Sequence, residues 1–78
     1  MITLAEENYL KAILTISLNT SDKISTNSIA DEIGATAASV SDMLKKLQEK
    51  NFVKYEKYKG VILSKRGTKK AIHILRKH

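Results

Sequence analysis

The spacing of apolar residues changes twice along this chain of 78 residues. Up to about residue 50, apolar side chains recur every three or four positions, as they do along one face of an α-helix. From Phe52 the period becomes two, because Val53 and Tyr55 alternate with lysine and glutamate, and an apolar run follows Gly60. From residue 65 the helical spacing returns. The sequence therefore predicts a mainly α fold with a small two-stranded β-hairpin.

Capping residues predict where four helices begin. Short polar side chains accept hydrogen bonds from first-turn N–H groups, and Thr3 with Glu6 has the spacing of a capping box. The predicted caps are Thr3, one of Ser25, Thr26 and Asn27, then Thr36, and last Ser64. The first helix runs from Leu4 to Leu18 or Asn19, the second ends at Gly34, and the third ends near residue 49 or 50. The expected inward side chains are Tyr9, Leu10, Ile13, Leu14, Ile16, Leu18, Ile29, Ala30, Ile33, Val40, Met43, Leu44, Leu47, Ala71, Ile74 and Leu75.

The second and third helices, at about residues 26–50, have the arrangement of a helix-turn-helix. Gly34-Ala35-Thr36 joins them, Ala30 is small where two helices must approach, and Val40 is an inward anchor. An ordinary helical hairpin would need the same residues. The basic hairpin at about residues 52–63 favours DNA binding, because it stands where a winged helix-turn-helix has its wing. With a final helix at about residues 65–78, the sequence predicts one winged helix-turn-helix domain over residues 1–78.

Positive charge is concentrated in the second half of the chain. Residues 1–44 contain two lysines and six acidic residues, a net charge of −4, whereas residues 45–78 contain twelve lysines and arginines and two acidic residues, a net charge of +10. Such a surplus attracts nucleic acid first, an anionic membrane second and acidic proteins third. Membrane binding would need a basic amphipathic helix with large apolar residues opposite, and no segment shows this strongly. We therefore expect a nucleic-acid partner and no membrane.

Other protein classes are disfavoured by what the sequence lacks. Without cysteine it has neither a disulfide nor a thiolate metal cluster. No apolar run approaches the roughly 20 residues that span a bilayer, and the start of the chain lacks the order of a signal peptide, so we expect a cytoplasmic protein. The acidic residues are expected on helix surfaces, and no serine is placed beside a plausible histidine and acid. We expect no enzyme activity.

Five segments of the chain resemble a known family. They are residues 6–10 (EENYL), 25–30 (STNSIA), 38–47 (ASVSDMLKKL), 55–63 (YEKYKGVIL) and 76–78 (RKH). Together they are similar to the amino-terminal domain of the metal-dependent transcriptional repressors, the diphtheria-toxin-repressor and manganese-repressor family. The resemblance implies the reader domain of an iron- or manganese-dependent repressor that binds a double-stranded DNA operator. In the family a helical dimerisation domain, which this chain lacks, follows it, and the intact protein is a homodimer.

The resemblance places the DNA contacts on the third helix and the hairpin. The positions are Thr36, Ala38, Ser39, Ser41, Asp42, Lys45, Lys46 and Lys59. Hydroxyl groups bond to bases or phosphates, and the Ala38 methyl would meet a thymine methyl, so we expect weak base discrimination and reliance on DNA shape. Lys46 and Lys59 match phosphate-binding positions, although each lysine taken singly is equally well explained as a solvated surface residue.

Asp42 needs its own explanation, because phosphates repel a carboxylate. It either accepts from a cytosine amino group or pairs with Lys45 or Lys46, and we favour the pairing. The whole interpretation requires that the outward side of residues 37–50 and the Lys59 loop form one continuous cationic strip that the terminal helix does not cover. Two alternatives stay open: a metal-independent winged-helix regulator, and a winged-helix module that binds a protein partner.

Metal binding is implied by the resemblance alone. His78 aligns with a ligand at the end of the family's fourth helix, and Asn8 aligns with a ligand position on the first helix. Asn8 offers a carbonyl oxygen without charge, and Lys11 stands where the manganese branch has a glutamate. Two ligands cannot complete a coordination sphere, so we expect iron or manganese to act on the intact family protein and to bind this chain poorly. His73 is expected to be a surface residue.

Overall fold

The computed structural model of the chain describes residues 2–19, 23–56 and 60–76. Its elements, in chain order, are α1 (Leu4–Asn19), α2 (Thr26–Ile33), α3 (Ala37–Glu49), β1 (Val53–Glu56), β2 (Gly60–Leu63) and α4 (Lys65–Arg76). The prediction of a mainly α fold with one two-stranded antiparallel sheet is confirmed. The hairpin tip with Lys59, and the last two residues with His78, lie outside the described part.

All four helices begin at predicted side-chain caps. Glu6 N–H donates to Thr3 Oγ1 at 3.1 Å and Thr3 N–H donates back to Glu6 Oε1 at 2.9 Å, which completes the capping box. Among the three candidates for α2, Ser25 is the cap. The other cap bonds run from Ser28 N–H to Ser25 (3.1 Å), from Ser39 N–H to Thr36 (3.2 Å) and from Gly67 N–H to Ser64 (3.0 Å).

Two residues with left-handed backbone turn the chain at the ends of α2 and α3. Gly34 has a φ of 78°, and its N–H donates to Ala30 O at 2.8 Å, so a tight turn leads into α3. Asn51 has a φ of 64°, and the next N–H, of Phe52, donates to Leu47 O at 2.9 Å. This second ending is a Schellman motif in which asparagine takes the place of the usual glycine. It directs the chain from α3 into β1.

The hairpin is joined to the segment that precedes α2. Its antiparallel register places Val53 opposite Leu63. Gly60, with a φ of 73°, forms a parallel bridge with Ile24, and Val61 N–H donates to Ile24 O at 3.0 Å. A Cβ atom on Gly60 would overlap with the Ile24 carbonyl, so this close approach requires glycine. Residue 24 therefore acts as a one-residue third strand.

The core lies where α1, α2, α3, α4 and the hairpin meet. Its largest fully buried apolar side chains are Leu10, Ile13, Ile29, Val40, Leu47 and Val61. Two predicted core residues are exposed instead. Leu18 is 74% exposed, because residues 17–19 in the last turn of α1 extend beyond the core, and Leu75 lies at the edge of the face through which α4 buries Ala71 and Ile74. None of the helices in the described ranges has the length and apolar character that crossing a membrane requires.

Glu6 contradicts the prediction that acidic residues lie on helix surfaces. It is only 1% exposed, and Lys50 Nζ lies 2.8 Å from its Oε1 and 2.7 Å from its Oε2. Hydrogen bonds from Lys50 and from Thr3 N–H lower the pKa of Glu6 below its usual value, so this buried carboxyl is ionised at neutral pH. The ion pair joins the first turn of α1 to the residue that ends α3.

Candidate nucleic-acid interface

Helix α3 turns one face into the core and the other outward. Val40, Leu44 and Leu47 are buried, and α3 packs against α1, α2 and β1. The exposed residues of α3 are Ala37, Ala38, Ser39, Ser41, Asp42, Lys45, Lys46, Gln48 and Glu49. Helix α4 packs on α1 and β2. Within the described residues, the terminal helix therefore leaves the outward face of α3 uncovered, as the DNA-binding hypothesis requires.

The hydroxyl groups at the start of α3 are linked to each other. Thr36 Oγ1 accepts from Ser39 N–H, and its own hydroxyl donates to Ser39 Oγ at 3.0 Å. The Ser39 oxygen thus accepts one hydrogen bond, and its own proton remains available for an external acceptor. Both residues are exposed. Thr36 therefore serves as the helix cap and orients Ser39, which is the outward-directed donor of the pair.

Asp42 does not pair with a lysine in the described part of the chain. The prediction of a pair with Lys45 or Lys46 is wrong: all three side chains are exposed, and the ion pair that the described residues form joins Lys50 to Glu6. An exposed pair three or four positions apart on a helix is worth only about 0.3–0.5 kcal/mol, which is too little to hold two flexible side chains together. The Asp42 carboxylate faces solvent as an open acceptor.

A groove of about 300 Å³ lies between α3 and β1, and we call it the α3–β1 groove. Its lining residues are Thr26, Ser41, Leu44, Lys45, Gln48 and Tyr55. The Tyr55 residue is 56% exposed. An exposed aromatic ring beside an ammonium, a side-chain amide and two hydroxyls offers a stacking surface together with hydrogen-bond donors and acceptors. This combination suits a polar, anionic chain such as a sugar-phosphate backbone.

Sequence reasoning missed three residues of this groove: Thr26, Gln48 and Tyr55. Gln48 had a usable signal, since Lys45 follows Ser41 by four positions and Gln48 follows Lys45 by three, so all three share one helix face. Tyr55 had none, because it lies on the same side of the strand as buried Val53 and is exposed only where the hairpin extends past the core. Lys59, which was expected to extend the cationic strip, lies outside the described residues.

The described residues do not assemble a metal site. Asn8 is exposed on α1, and no group of three or more His, Cys, Asp or Glu side chains in the described ranges could hold a metal ion. Lys11, one turn further along α1, places a positive charge near Asn8. Iron and manganese need several anionic or imidazole ligands, and the neutral amide of Asn8 near the Lys11 ammonium does not provide them. His78, the other candidate ligand, is outside the described part, and His73 is exposed as expected.

The arrangement of elements defines a class of protein. A helix-turn-helix with an exposed second helix, followed by a two-stranded wing, is the architecture of winged helix-turn-helix DNA-binding regulators. Residues 1–61 match the sequence model described as "Iron dependent repressor, N-terminal DNA binding domain", and the chain belongs to this family. The resemblance noted in the sequence is therefore confirmed.

Two curated relatives extend the match to nearly the whole chain. The HTH-type transcriptional regulator MntR of Listeria monocytogenes (serotype 4a, strain HCC23) is 33% identical over 78 residues, which are 100% of this chain and 54% of that protein. The uncharacterized HTH-type transcriptional regulator MJ0568 of Methanocaldococcus jannaschii is 33% identical over 72 residues, 92% of this chain and 58% of that protein. The chain spans about half the length of these curated relatives.

Solved structures support the fold. The S. aureus MepR–DNA complex matches with a TM-score of 0.76 at 21% identity, over 96% of this chain and 55% of that chain. A mutant of S. aureus MepR matches with a TM-score of 0.77 at 20% identity, over 96% of this chain and 57% of that chain. At this level of identity the likeness shows the winged-helix fold.

Proposed function

We propose that this chain binds duplex DNA sequence-specifically, as the operator-reading domain of a metal-dependent transcriptional repressor. The observation that carries the proposal is the outward face of α3. It is exposed along its length, it carries short side chains at its start and lysines further on, and no other described element packs over it. Membership of the iron-dependent-repressor family agrees with this function.

The first turns of α3 would enter the major groove. Ala38 and Ser39 are short enough to let the helix backbone approach the base edges, where the Ala38 methyl meets a thymine methyl and the Ser39 hydroxyl donates to a base or phosphate oxygen. Ser41 adds a second hydroxyl, and Asp42, without a lysine partner, is placed to accept from a cytosine amino group. Sequence preference would then come from single hydrogen bonds and methyl contacts to the bases, and from DNA shape.

Positive side chains would hold the backbone on either side of this contact. Lys45 and Lys46 are exposed on α3, and Lys59 lies between β1 and β2 in the sequence. Between α3 and the hairpin, the α3–β1 groove would receive one sugar-phosphate strand, with Gln48 and Tyr55 as additional contacts. Backbone contacts fix the register of the protein on the duplex and make its affinity depend on salt.

Metal control and pairing of subunits belong to the intact family protein. We propose that iron or manganese acts through parts of that protein beyond the described residues, since Asn8 and its surroundings do not form a site. We also propose that two copies read two half-sites of an operator, as the two-fold symmetry of helix-turn-helix dimers allows. The family description, which names an iron-dependent repressor, supports the proposal of metal control.

The salt dependence of duplex binding tests the proposed function. Fluorescence anisotropy with a labelled random-sequence duplex should show a steep loss of affinity, since three phosphate contacts predict about 40-fold between about 50 and 200 mM salt. Lys46→Ala should reduce the slope by about one contact, whereas Lys65→Ala, on α4, serves as the matched control. A change below twofold across this range, or displacement of the duplex by an acidic protein at equal concentration, would refute the proposal in favour of a protein-binding module.

A further inference from the structure

A second and larger cleft lies at the carboxyl end of α3. Its volume is about 640 Å³, and its walls are the end of α3, the turn at Asn51 and Phe52, and one side of α4. It shares no lining residue with the α3–β1 groove, whose volume is about 300 Å³. Pockets that enclose small molecules have volumes of roughly 300–1,000 Å³. We call this space the α4 cleft.

The lining of the α4 cleft is strongly cationic. Five basic side chains contribute to it, and one carboxylate: Lys50, Arg66, Lys69, Lys70 and His73, with Glu49. The charge of Lys50 is matched by buried Glu6. In the part of the chain that the structure describes, Arg66, Lys69 and Lys70 form no ion pair, so three cations face a single carboxylate.

The positive charges of α4 destabilise the helix that carries them. Lys65–Arg76 contains no acidic residue, and its first turn, where a helix favours negative charge, carries Lys65 and Arg66. Arg66 and Lys70 are also four positions apart, a spacing at which like charges repel on a helix. A bound anion with several negative charges would relieve both effects at once.

Four contacts hold the walls of the cleft in place. The Arg66 guanidinium lies over the Phe52 ring, 5.1 Å from its centroid. Ser64 Oγ donates to Asn51 O at 2.6 Å, and Ser64 N–H donates to Phe52 O at 3.0 Å. Gly67 lies so close to the Phe52 carbonyl that a Cβ atom would overlap with it. The cationic side of α4 is therefore fixed against the Asn51–Phe52 turn before any ligand arrives.

We propose that the α4 cleft binds a small phosphorylated anion, in the absence of DNA and independently of the α3 face. A guanidinium and two ammonium groups around one concave space match the oxygens of a phosphate ester or a diphosphate, which accept several charged hydrogen bonds at once. Phosphate groups also occur in the DNA backbone, so the experiment must separate a soluble ligand from the duplex.

Inorganic pyrophosphate is the probe, titrated into the 78-residue chain without DNA and followed by amide chemical shifts. We expect one saturable site, with the largest shifts at Asn51, Lys69 and Lys70. Lys69→Ala and Lys70→Ala should each weaken binding about fivefold. This loss of affinity lies between the losses expected for an exposed ion pair and for a charged hydrogen bond. Lys65→Ala is the matched control, because it removes an exposed lysine of the same helix that does not line the cleft, and it should change binding less than twofold. Thermal unfolding of each variant verifies that it folds.

Three results would overturn the proposal. Absence of saturable pyrophosphate binding would show that the cleft is not a binding site. Equal losses of affinity in the Lys65, Lys69 and Lys70 variants would show diffuse attraction to a basic helix. Duplex affinity that falls more in Lys69→Ala than in Lys65→Ala assigns the cleft to the DNA backbone. Because the pyrophosphate titration contains no DNA, its outcome is independent of whether the proposed DNA-binding function holds.

Discussion

Replacing Glu6 by glutamine tests the role of the buried ion pair in stability. The carboxylate has two contacts with Lys50 Nζ at 2.7 and 2.8 Å and accepts from Thr3 N–H at 2.9 Å. Glutamine keeps the shape and an accepting oxygen but removes the charge. Charged hydrogen bonds contribute about 1.5–3 kcal/mol when buried, and the Lys50 side chain is 36% exposed, so solvent screening reduces the loss to about 1–2 kcal/mol. At roughly 4–8 °C per kcal/mol, Tm should fall by about 5–15 °C.

The pH dependence gives this prediction its sign. The pKa of Glu6 is lowered in the folded chain, so its contribution is present above the usual value of 4.5 and is lost as the pH falls through the lower folded pKa. The difference in unfolding free energy between the parent and Glu6→Gln should therefore be largest near neutral pH and should vanish in acid. Urea unfolding at several pH values measures it, with Glu7→Gln, in the same turn of α1, as the control.

A constant difference between parent and Glu6→Gln across this pH range would refute the reasoning, because a shape effect does not titrate. An equal loss in Glu7→Gln would refute it as well, since it would assign the effect to the N-terminus of α1 in general and not to the contact with Lys50.

Further predictions concern DNA, packing and metal. Lys59→Ala should weaken all duplexes about equally, whereas Ser39→Ala should change the preference among sequences in a selection from random DNA; the opposite pattern would mean that wing and recognition helix are misassigned. Asp42→Asn should raise affinity for random duplexes, measured by anisotropy, because it removes a carboxylate that phosphates repel, and unchanged or lower affinity would refute this repulsion. Gly67→Ala should destabilise the fold by about 1–3 kcal/mol in urea unfolding, because its Cβ meets the Phe52 carbonyl, and unchanged stability would contradict that contact. Calorimetric titration with iron(II), manganese(II) and zinc(II) should show no tight site in this chain, and a tight one would overturn the account of Asn8.

The helices were predictable because their signals are local. Thr3, Ser25, Thr36 and Ser64 each cap a helix through a bond to a residue three positions away, and Gly34 ends α2 within one turn. Such contacts depend on residue type and spacing, both of which a sequence displays. The outward face of α3 was predictable for the same reason, since its helical period separates buried from exposed positions.

Burial of Glu6 and the composition of the α3–β1 groove were not predictable in this way. Lys50 is 44 positions from Glu6, and its position depends on how α3 ends against α1. Tyr55 meets Gln48 in one groove only because the hairpin folds back beside α3. Spacing along the chain cannot reveal partners that tertiary packing brings together. It also predicted that Leu18 is buried, but Leu18 is exposed because α1 continues past its neighbours there.

The bridge between Ile24 and Gly60 ties the segment before α2 to the hairpin. Ile24, which directly precedes the cap of α2, is bonded to the start of β2. A rotation of α2 and α3 against the hairpin would break the hydrogen bond from Val61 N–H to Ile24 O. Within the described residues, this hydrogen bond and the packing of α3 against β1 join the helix-turn-helix to the hairpin.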